Sequence, residues 1–320
     1  MSSTEPTTLV EVIRHFSDPD VCLDFLVSMR WPDGVACPHC GSLDVTFMPS
    51  RRIWQCKGKH PKRQFSIKVG SIFEDSAIPL DKWLTAMWLI ASSKNGISSY
   101  EVARSIGVSQ KSAWFMMHRI RLAMEDGFFN QMRGEVEVDE TFIGGKARNM
   151  HAGKRAQKIT GTGGAGKAAV MGMLERHGPD GHSRVRTQVV PNTRRSSLGP
   201  VIKVNVENGA RVYSDGKASY DRLGEEYLHE AVNHDATEYV RGSVHTNGIE
   251  NYWSLLKRAL SGTYVSVEPF HLFRYLDEQT FRYNSRKQTD AARFRALVRS
   301  VIGKRLTWAQ VTGETAPTPA

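Results

Sequence analysis

Glu135-Val136-Glu137-Val138-Asp139-Glu140-Thr141-Phe142-Ile143 alternates polar and apolar residues, after Gly134 and before Gly144-Gly145. A period of two bounded by glycine reads as a β-strand with one covered face. Working outward, Ala168 to Leu174 and Arg184 to Val190 read as two further strands, parted by the turn-rich Gly178-Pro179-Asp180-Gly181. A helical stretch follows from about Ser196 to Asn208, then a strand at Arg211-Val212-Tyr213-Ser214 and a helix near Tyr220. His229 to His234 reads as a short fifth strand, and a long helix starts near Asn247. Three strands, then helix, strand, helix, strand, helix predict a mixed α/β sheet with an antiparallel start and crossover helices afterwards.

Three acidic residues hold informative places in this region. Asp139 ends the apolar run of the first strand, Asp215 directly follows the fourth strand and precedes Gly216, and Glu250 lies in the last helix. The chain has 33 acidic residues, so such a trio gains meaning only from its context. The last helix supplies it. Ile249, Trp253, Leu256 and Leu260 form a core stripe, and Asn247, Glu250, Ser254 and Lys257 form a polar stripe beside it. Glu250 is placed to hold a metal and Lys257 to meet a phosphate. The plain alternative is a solvated helix face. Glu137 shares a strand face with Asp139 and could assist or substitute for it, whereas Glu140 points away and reads as structural. Gly161 to Lys167 imitates the start of a phosphate-binding loop, but Ala168 replaces the hydroxyl residue such a loop needs and no apolar strand precedes it. The stretch from Lys146 to Lys167 is basic and Gly-rich, suited to gripping DNA or to a solvated insertion.

Toward the N-terminus, Cys37, Cys40, Cys56 and His60 form C-x2-C, a gap, then C-x3-H. A β-hairpin in the gap would return the second pair to the first and close a tetrahedral zinc site of the ribbon type. His39 or a neighbour is the alternative fourth ligand. A disulfide framework is disfavoured: there are four cysteines in 320 residues, and Met1 to Thr8 is polar, unlike a signal peptide. Cys22 shares helical spacing with Phe25, Leu26 and Met29 and reads as a buried small hydrophobe. Arg51 to Lys68 contains seven Lys or Arg and no Asp or Glu, which suits a nucleic-acid-binding module.

Residues 8 to 30 read as one or two short helices, ending at Trp31-Pro32-Asp33-Gly34. Beyond the ribbon, Leu80 to Ser92 carries Trp83, Met87 and Ile90 on one helical stripe. A second helix opens near Ser98-Ser99 and is broken by Gly107, and Ser109 can cap a third with Ala113, Met117, Ile120 and Met124 inward. Helix, Gly-containing turn and capped helix predict a helix-turn-helix presenting Gln110, Lys111, Trp114, His118 and Arg121 to DNA. A helical linker with a solvated polar face is the competing reading.

The net charge is +10 with a pI near 9.5, which favours a polyanionic partner. The longest uncharged apolar stretch, Trp83 to Ser93, is too short for a bilayer, so a soluble, cytoplasmic protein is expected, nucleoid-associated if bacterial. Gly313 to Ala320 reads as a disordered tail.

The chain resembles a family of transposases, the IS1595 insertion-sequence class with an ISXO2-like catalytic domain. The resemblance rests on Trp31-Pro32-Asp33-Gly34 with Cys37-Pro38-His39-Cys40-Gly41, on Gln64-Phe65-Ser66 leading to Gly70-Ser71-Ile72-Phe73, and on Val138-Asp139-Glu140-Thr141. Ser214-Asp215-Gly216 and His245-Thr246-Asn247 through Trp253-Ser254-Leu255-Leu256-Lys257-Arg258 complete it. It implies a DDE-type enzyme with an RNase H-like fold, with catalytic carboxylates at Asp139, Asp215 and Glu250 and the following basic residue at Lys257. Asn247, one turn earlier, competes with Glu250 for the third place. Two Mg2+ or Mn2+ ions would drive in-line displacement at phosphorus, with a structural Zn2+ in the ribbon. The expected partners are double-stranded DNA, at the element's ends and at the target, and further copies of the chain; no membrane is expected. The expected parts are an N-terminal helical segment (1–34), zinc ribbon (35–75), helix-turn-helix (76–126), catalytic domain (134–285), and a basic C-terminal segment with its tail (286–320). A non-enzymatic DNA-binding regulator and a nuclease that only hydrolyses are the alternative functions.

Overall fold

The computed structural model describes residues 6–125, 130–145, 151–153, 155, 164, 166–221, 223–232 and 241–314. The Gly161 to Lys167 stretch and the basic segment from Lys146 fall mostly outside them, as does the tail from residue 315. The chain divides into two compact units, one made of Met1–Glu125 with Lys287–Ala320 and the other of Asp126–Arg286.

In the second unit, β4 (Glu135–Ile143), β5 (Ala168–Glu175), β6 (Arg184–Val190), β7 (Arg211–Asp215) and β8 (Leu228–Val232) form one mixed sheet of order β6-β5-β4-β7-β8. The first three pair antiparallel, while β7 joins β4 and β8 joins β7 in parallel. The helix α6 (Arg195–Asn205) covers one face, where Val136, Val138, Met171 and Met173 meet Leu198 and Ile202. The helices α7 (Asn247–Gly262) and α8 (Leu272–Asn284) cover the other, where Val170 and Leu174 meet Ile249, Trp253, Leu256 and Leu276. The alternation read in the sequence thus divides β4 and β5 between two cores. The edge strand β6 is closed by Asn284, whose side-chain amide accepts from the Val185 N–H and donates to the Val185 carbonyl, as a neighbouring strand would.

One element departs from expectation. The region near Tyr220 is not an α-helix: β7 passes to β8 through two 3-10 turns, Ala218–Tyr220 and Leu223–Glu225. The fully buried Tyr220 anchors the first turn under the sheet, and Tyr227 caps the return by packing in the same core.

The first unit opens with α1 (Leu9–His15), capped by a Thr8/Glu11 box, and α2 (Pro19–Arg30), capped by Asp18. β1 (Val45–Met48) and β2 (Ile53–Cys56) form the antiparallel hairpin, extended by β3 (Gln64–Phe65). Next come α3 (Leu80–Ser92), α4 (Ser99–Ile106) and α5 (Gln110–Met124). Ser98 caps α4, Gly107 closes it at φ +64° in the left-handed region, and the Ser109 side chain caps α5 by accepting the Ser112 N–H. The C-terminal segment also belongs to this unit: α9 (Asp290–Arg299) places Phe294 against Phe16, Phe25 and Trp88, and α10 (Trp308–Thr312) follows.

Candidate functional site

The parallel pairing of β4 with β7 runs to Glu137 opposite Tyr213, and beyond it Asp139, in the middle of β4, lies near enough to Asp215, the last residue of β7, for their charges to interact. Asp139 is read from the face covered by α7: its Oδ2 accepts the Trp253 indole N–H at 2.9 Å. The indole lies over Gly172, the cross-strand partner of Asp139, where a Cβ would stand 2.4 Å from the ring. A side chain at 172 would therefore push the donor away. Asp215 Oδ2 lies 2.9 Å from the Lys217 ammonium, whereas its Oδ1 is buried with no protein hydrogen-bond partner. Burial pushes the Asp139 carboxyl up to about 7, and the negative charges of Glu140 and Asp215 add to the rise against the nearby Glu140 N–H and Lys217. A desolvated acid and an orphaned buried carboxylate oxygen on adjacent strands are what a hard divalent cation would satisfy.

This arrangement has a pH signature. The Asp139 carboxyl titrates near 3.8 when free and near 7 in the metal-free fold, so the folded state binds the proton more tightly across that window. By linkage, the stability it contributes is present below the lower value and is lost as pH rises through the upper one. The thermal midpoint of metal-free protein is expected to fall over this range, and Asp139→Asn to flatten the fall. An identical slope in the variant would reject the assignment.

The other acidic residues near the pair divide in function. Both Glu137 oxygens are in use: Oε1 accepts from Arg176 Nε at 2.8 Å and Oε2 from the Ile249 N–H at 2.9 Å. A buried carboxylate here satisfies a first-turn N–H of α7 and favours its positive end. Glu140, on the opposite face, is also buried, with Oε1 2.8 Å from Lys217 Nζ and Oε2 accepting from Tyr220. Lys217 and Tyr220 were not legible as site residues. The only sequence signal was the position of Lys217 two residues after Asp215.

On α7, Ile249, Trp253, Leu256 and Leu260 are buried, and Asn247, Glu250, Ser254 and Lys257 are exposed. Glu250 Oε1 accepts from Thr246 Oγ1 at 2.8 Å. Among the described residues, the one group of three or more His, Cys, Asp or Glu donors at metal-ligand spacing is not the acidic trio. It is Cys37, Cys40, Cys56 and His60, whose donor atoms all lie within 4.8 Å of one another.

That second cluster is built by the hairpin. Cys56 ends β2 opposite Val45, which returns it to the Cys37/Cys40 knuckle. Cys40 Sγ and Cys56 Sγ are 3.7 Å apart, and Cys37 Sγ is 3.5 Å from His60 Nε2. A tetrahedron with bonds of about 2.3 Å has edges of roughly 3.8 Å, whereas a disulfide would need about 2.05 Å. Gly58 closes the cradle: its N–H donates to Cys56 Sγ, and a Cβ there would lie 3.3 Å from that sulfur. These residues fit a structural zinc ion. His60, not His39, completes the set.

The expected DNA-reading face of α5 needs correction. Lys111 is exposed and Gln110 and Trp114 are partly exposed, but His118 and Arg121 are each 1% exposed. The C-terminal segment of the same unit packs on this helix at neighbouring positions. Trp308 packs on Trp114 and Phe115, Lys304 Nζ donates to the Leu122 and Glu125 carbonyls, and Ser300 donates to the Ala123 carbonyl. His118 and Arg121 are buried inside the unit and do not lie on the exposed face expected of them.

Comparison with known proteins bears on both sites. The ISXO2-like transposase domain of the IS1595 type matches residues 131–284, and the transposase zinc-ribbon domain matches residues 17–58. An uncharacterised transposase-like protein of Haemophilus influenzae is 35% identical over 103 residues, 32% of this chain and 82% of that protein. The chain belongs to the IS1595 transposase family. An uncharacterised protein in the transposable element ISH50 of Halobacterium salinarum is 29% identical over 262 residues, 78% of this chain and 85% of the relative. Within this transposase family member, the acidic pair and α7 lie in the ISXO2-like domain, and Cys37, Cys40 and Cys56 lie in the matched ribbon. No helix among the described residues is long and apolar enough to cross a membrane.

Proposed function

We propose that this chain is the transposase of an insertion sequence, binding the element's terminal inverted repeats and catalysing metal-dependent DNA cleavage and strand transfer. The observation that carries this reading is that Asp139 lies near Asp215 on the adjacent parallel strands β4 and β7, one carboxyl desolvated and the other with an orphaned oxygen. The sheet order, with three antiparallel strands followed by two parallel ones, supports an RNase H-like catalytic domain. In this reading Asp139, Asp215 and Glu250 would hold Mg2+ or Mn2+, which would supply Lewis-acid activation of the attacking hydroxyl and charge stabilisation of the leaving oxygen. Lys257 meets the terminal phosphate. Glu250, whose Oε1 accepts the Thr246 hydroxyl, would be the third carboxylate to hold the ion. The protein acts as an oligomer on DNA, in the cytoplasm.

The test is an incubation of purified protein with Mg2+ and duplexes carrying the inverted repeats that flank the gene. Cleavage at the repeat ends followed by joined products is expected. Cleavage without joining would make it a hydrolysing nuclease, and binding without cleavage a regulator.

DNA is held first by the N-terminal unit, with α4 and α5 as a helix-turn-helix that uses the exposed start of α5. Lys111→Ala is expected to weaken binding and lower the magnitude of the log-affinity against log-salt slope by about one, the loss of one phosphate contact. Arg121→Ala is expected to lower the thermal midpoint instead, because it empties a buried position. An unchanged salt slope in Lys111→Ala would move recognition to the ribbon or the Lys146 to Lys167 segment.

A further inference from the structure

We propose that Tyr220, Glu140 and Lys217 form a positioning relay that sets the orientation of Asp215 and reserves its Oδ1 for a divalent cation. This inference rests on the metal-holding reading of the acidic pair. The contacts form an unbroken chain from Tyr220 to Asp215. Tyr220, fully buried, donates to Glu140 Oε2. Glu140 Oε1 holds the Lys217 ammonium at 2.8 Å, and the same ammonium holds Asp215 Oδ2 at 2.9 Å. Both Glu140 oxygens are thereby engaged, so Glu140 acts through Lys217 and not as a ligand. Asp215 is left with one oxygen fixed and one buried oxygen unpartnered.

The electrostatics give each member a separate task. Glu140 is almost wholly buried, and its charge keeps the ammonium from settling on Asp215 alone. Without that charge Lys217 would bind both Asp215 oxygens in turn and compete with the cation. Tyr220 limits the rotation of the Glu140 carboxylate. Hydrogen-bonded supports of ligating carboxylates characteristically alter metal affinity when removed. Trp253 does the corresponding work for Asp139 from the other face of the sheet, through its indole N–H.

Mn2+ binding to the zinc-loaded, full-length protein without DNA tests the relay, by calorimetry and by the Mn2+ electron paramagnetic resonance signal. Glu140→Gln, which keeps shape and volume, is expected to weaken Mn2+ by roughly tenfold to hundredfold. Tyr220→Phe should weaken it less but in the same direction, and the double variant should be no weaker than Glu140→Gln alone, since the two act in series. Unchanged or tighter Mn2+ binding in both single variants, even with a lowered thermal midpoint, would overturn the relay and leave a structural network. A loss in Glu140→Gln with none in Tyr220→Phe would also overturn it, making Glu140 act on its own. Asp215→Asn separates this from the underlying reading. If it abolishes Mn2+ binding while the relay variants bind normally, only the relay fails; if it too binds normally, both fail.

Discussion

Asp139→Asn and Asp215→Asn are each expected to lower DNA end cleavage and strand joining by about a thousandfold or more while leaving end binding nearly intact. Each substitution keeps the shape of the side chain and removes the charge a hard cation needs. Losing metal-borne stabilisation of several kcal/mol at the transition state corresponds to a loss of that size, since each ~1.4 kcal/mol is tenfold in rate. Binding is expected to survive because, in the proposed function, the grip on DNA comes from basic groups elsewhere. Gel-based cleavage and joining assays in Mg2+ and in Mn2+, with binding measured in parallel, provide the check. Glu250→Gln belongs in the same series, with Asn247→Ala beside it. An inactive Asn247→Ala together with a fully active Glu250→Gln would transfer the third metal ligand by one helical turn. Normal joining by both aspartate variants would end the transposase mechanism and favour a DNA-binding regulator.

Removing zinc is the second large effect. One Zn2+ per chain is expected at Cys37, Cys40, Cys56 and His60, and Cys56→Ser or a strong chelator should unfold the ribbon. The hairpin is only four residues per strand, and its apolar support is limited to contacts such as Trp54 with Phe65 and Trp31. Small modules of this kind draw about 10–16 kcal/mol of apparent folding free energy from the metal. His60→Ala should lose zinc affinity and His39→Ala should keep it, because only His60 reaches the cluster. Zinc content by atomic spectroscopy and amide exchange over residues 45–65 report the outcome. A ribbon that stays protected from exchange in excess chelator would refute a metal-dependent fold.

Much of the architecture is legible along the chain because it depends on near neighbours. The period of two at Glu135–Ile143 marks β4, and the Ile249, Trp253, Leu256 and Leu260 stripe marks the buried face of α7. Ser98, Gly107 and Ser109 mark the ends of α4 and α5, since caps and left-handed closures act within a few residues. The C-x2-C and C-x3-H spacings mark the zinc donors, because ligand reach is local once a hairpin joins the two pairs. Other properties depend on contacts between residues far apart. His118 and Arg121 have the spacing of an exposed face, yet Ser300, Lys304 and Trp308 return from nearly 200 residues away to cover that helix. Arg119 is tied to the Leu306 carbonyl in the same way, across 187 positions. Likewise, alternation correctly put Glu140 on the face opposite Asp139, but only the packing of β7 beside β4 lets Lys217 reach both Glu140 and Asp215. Periodicity specifies which face a residue occupies; burial and charge pairing are set by whatever part of the chain is brought against that face.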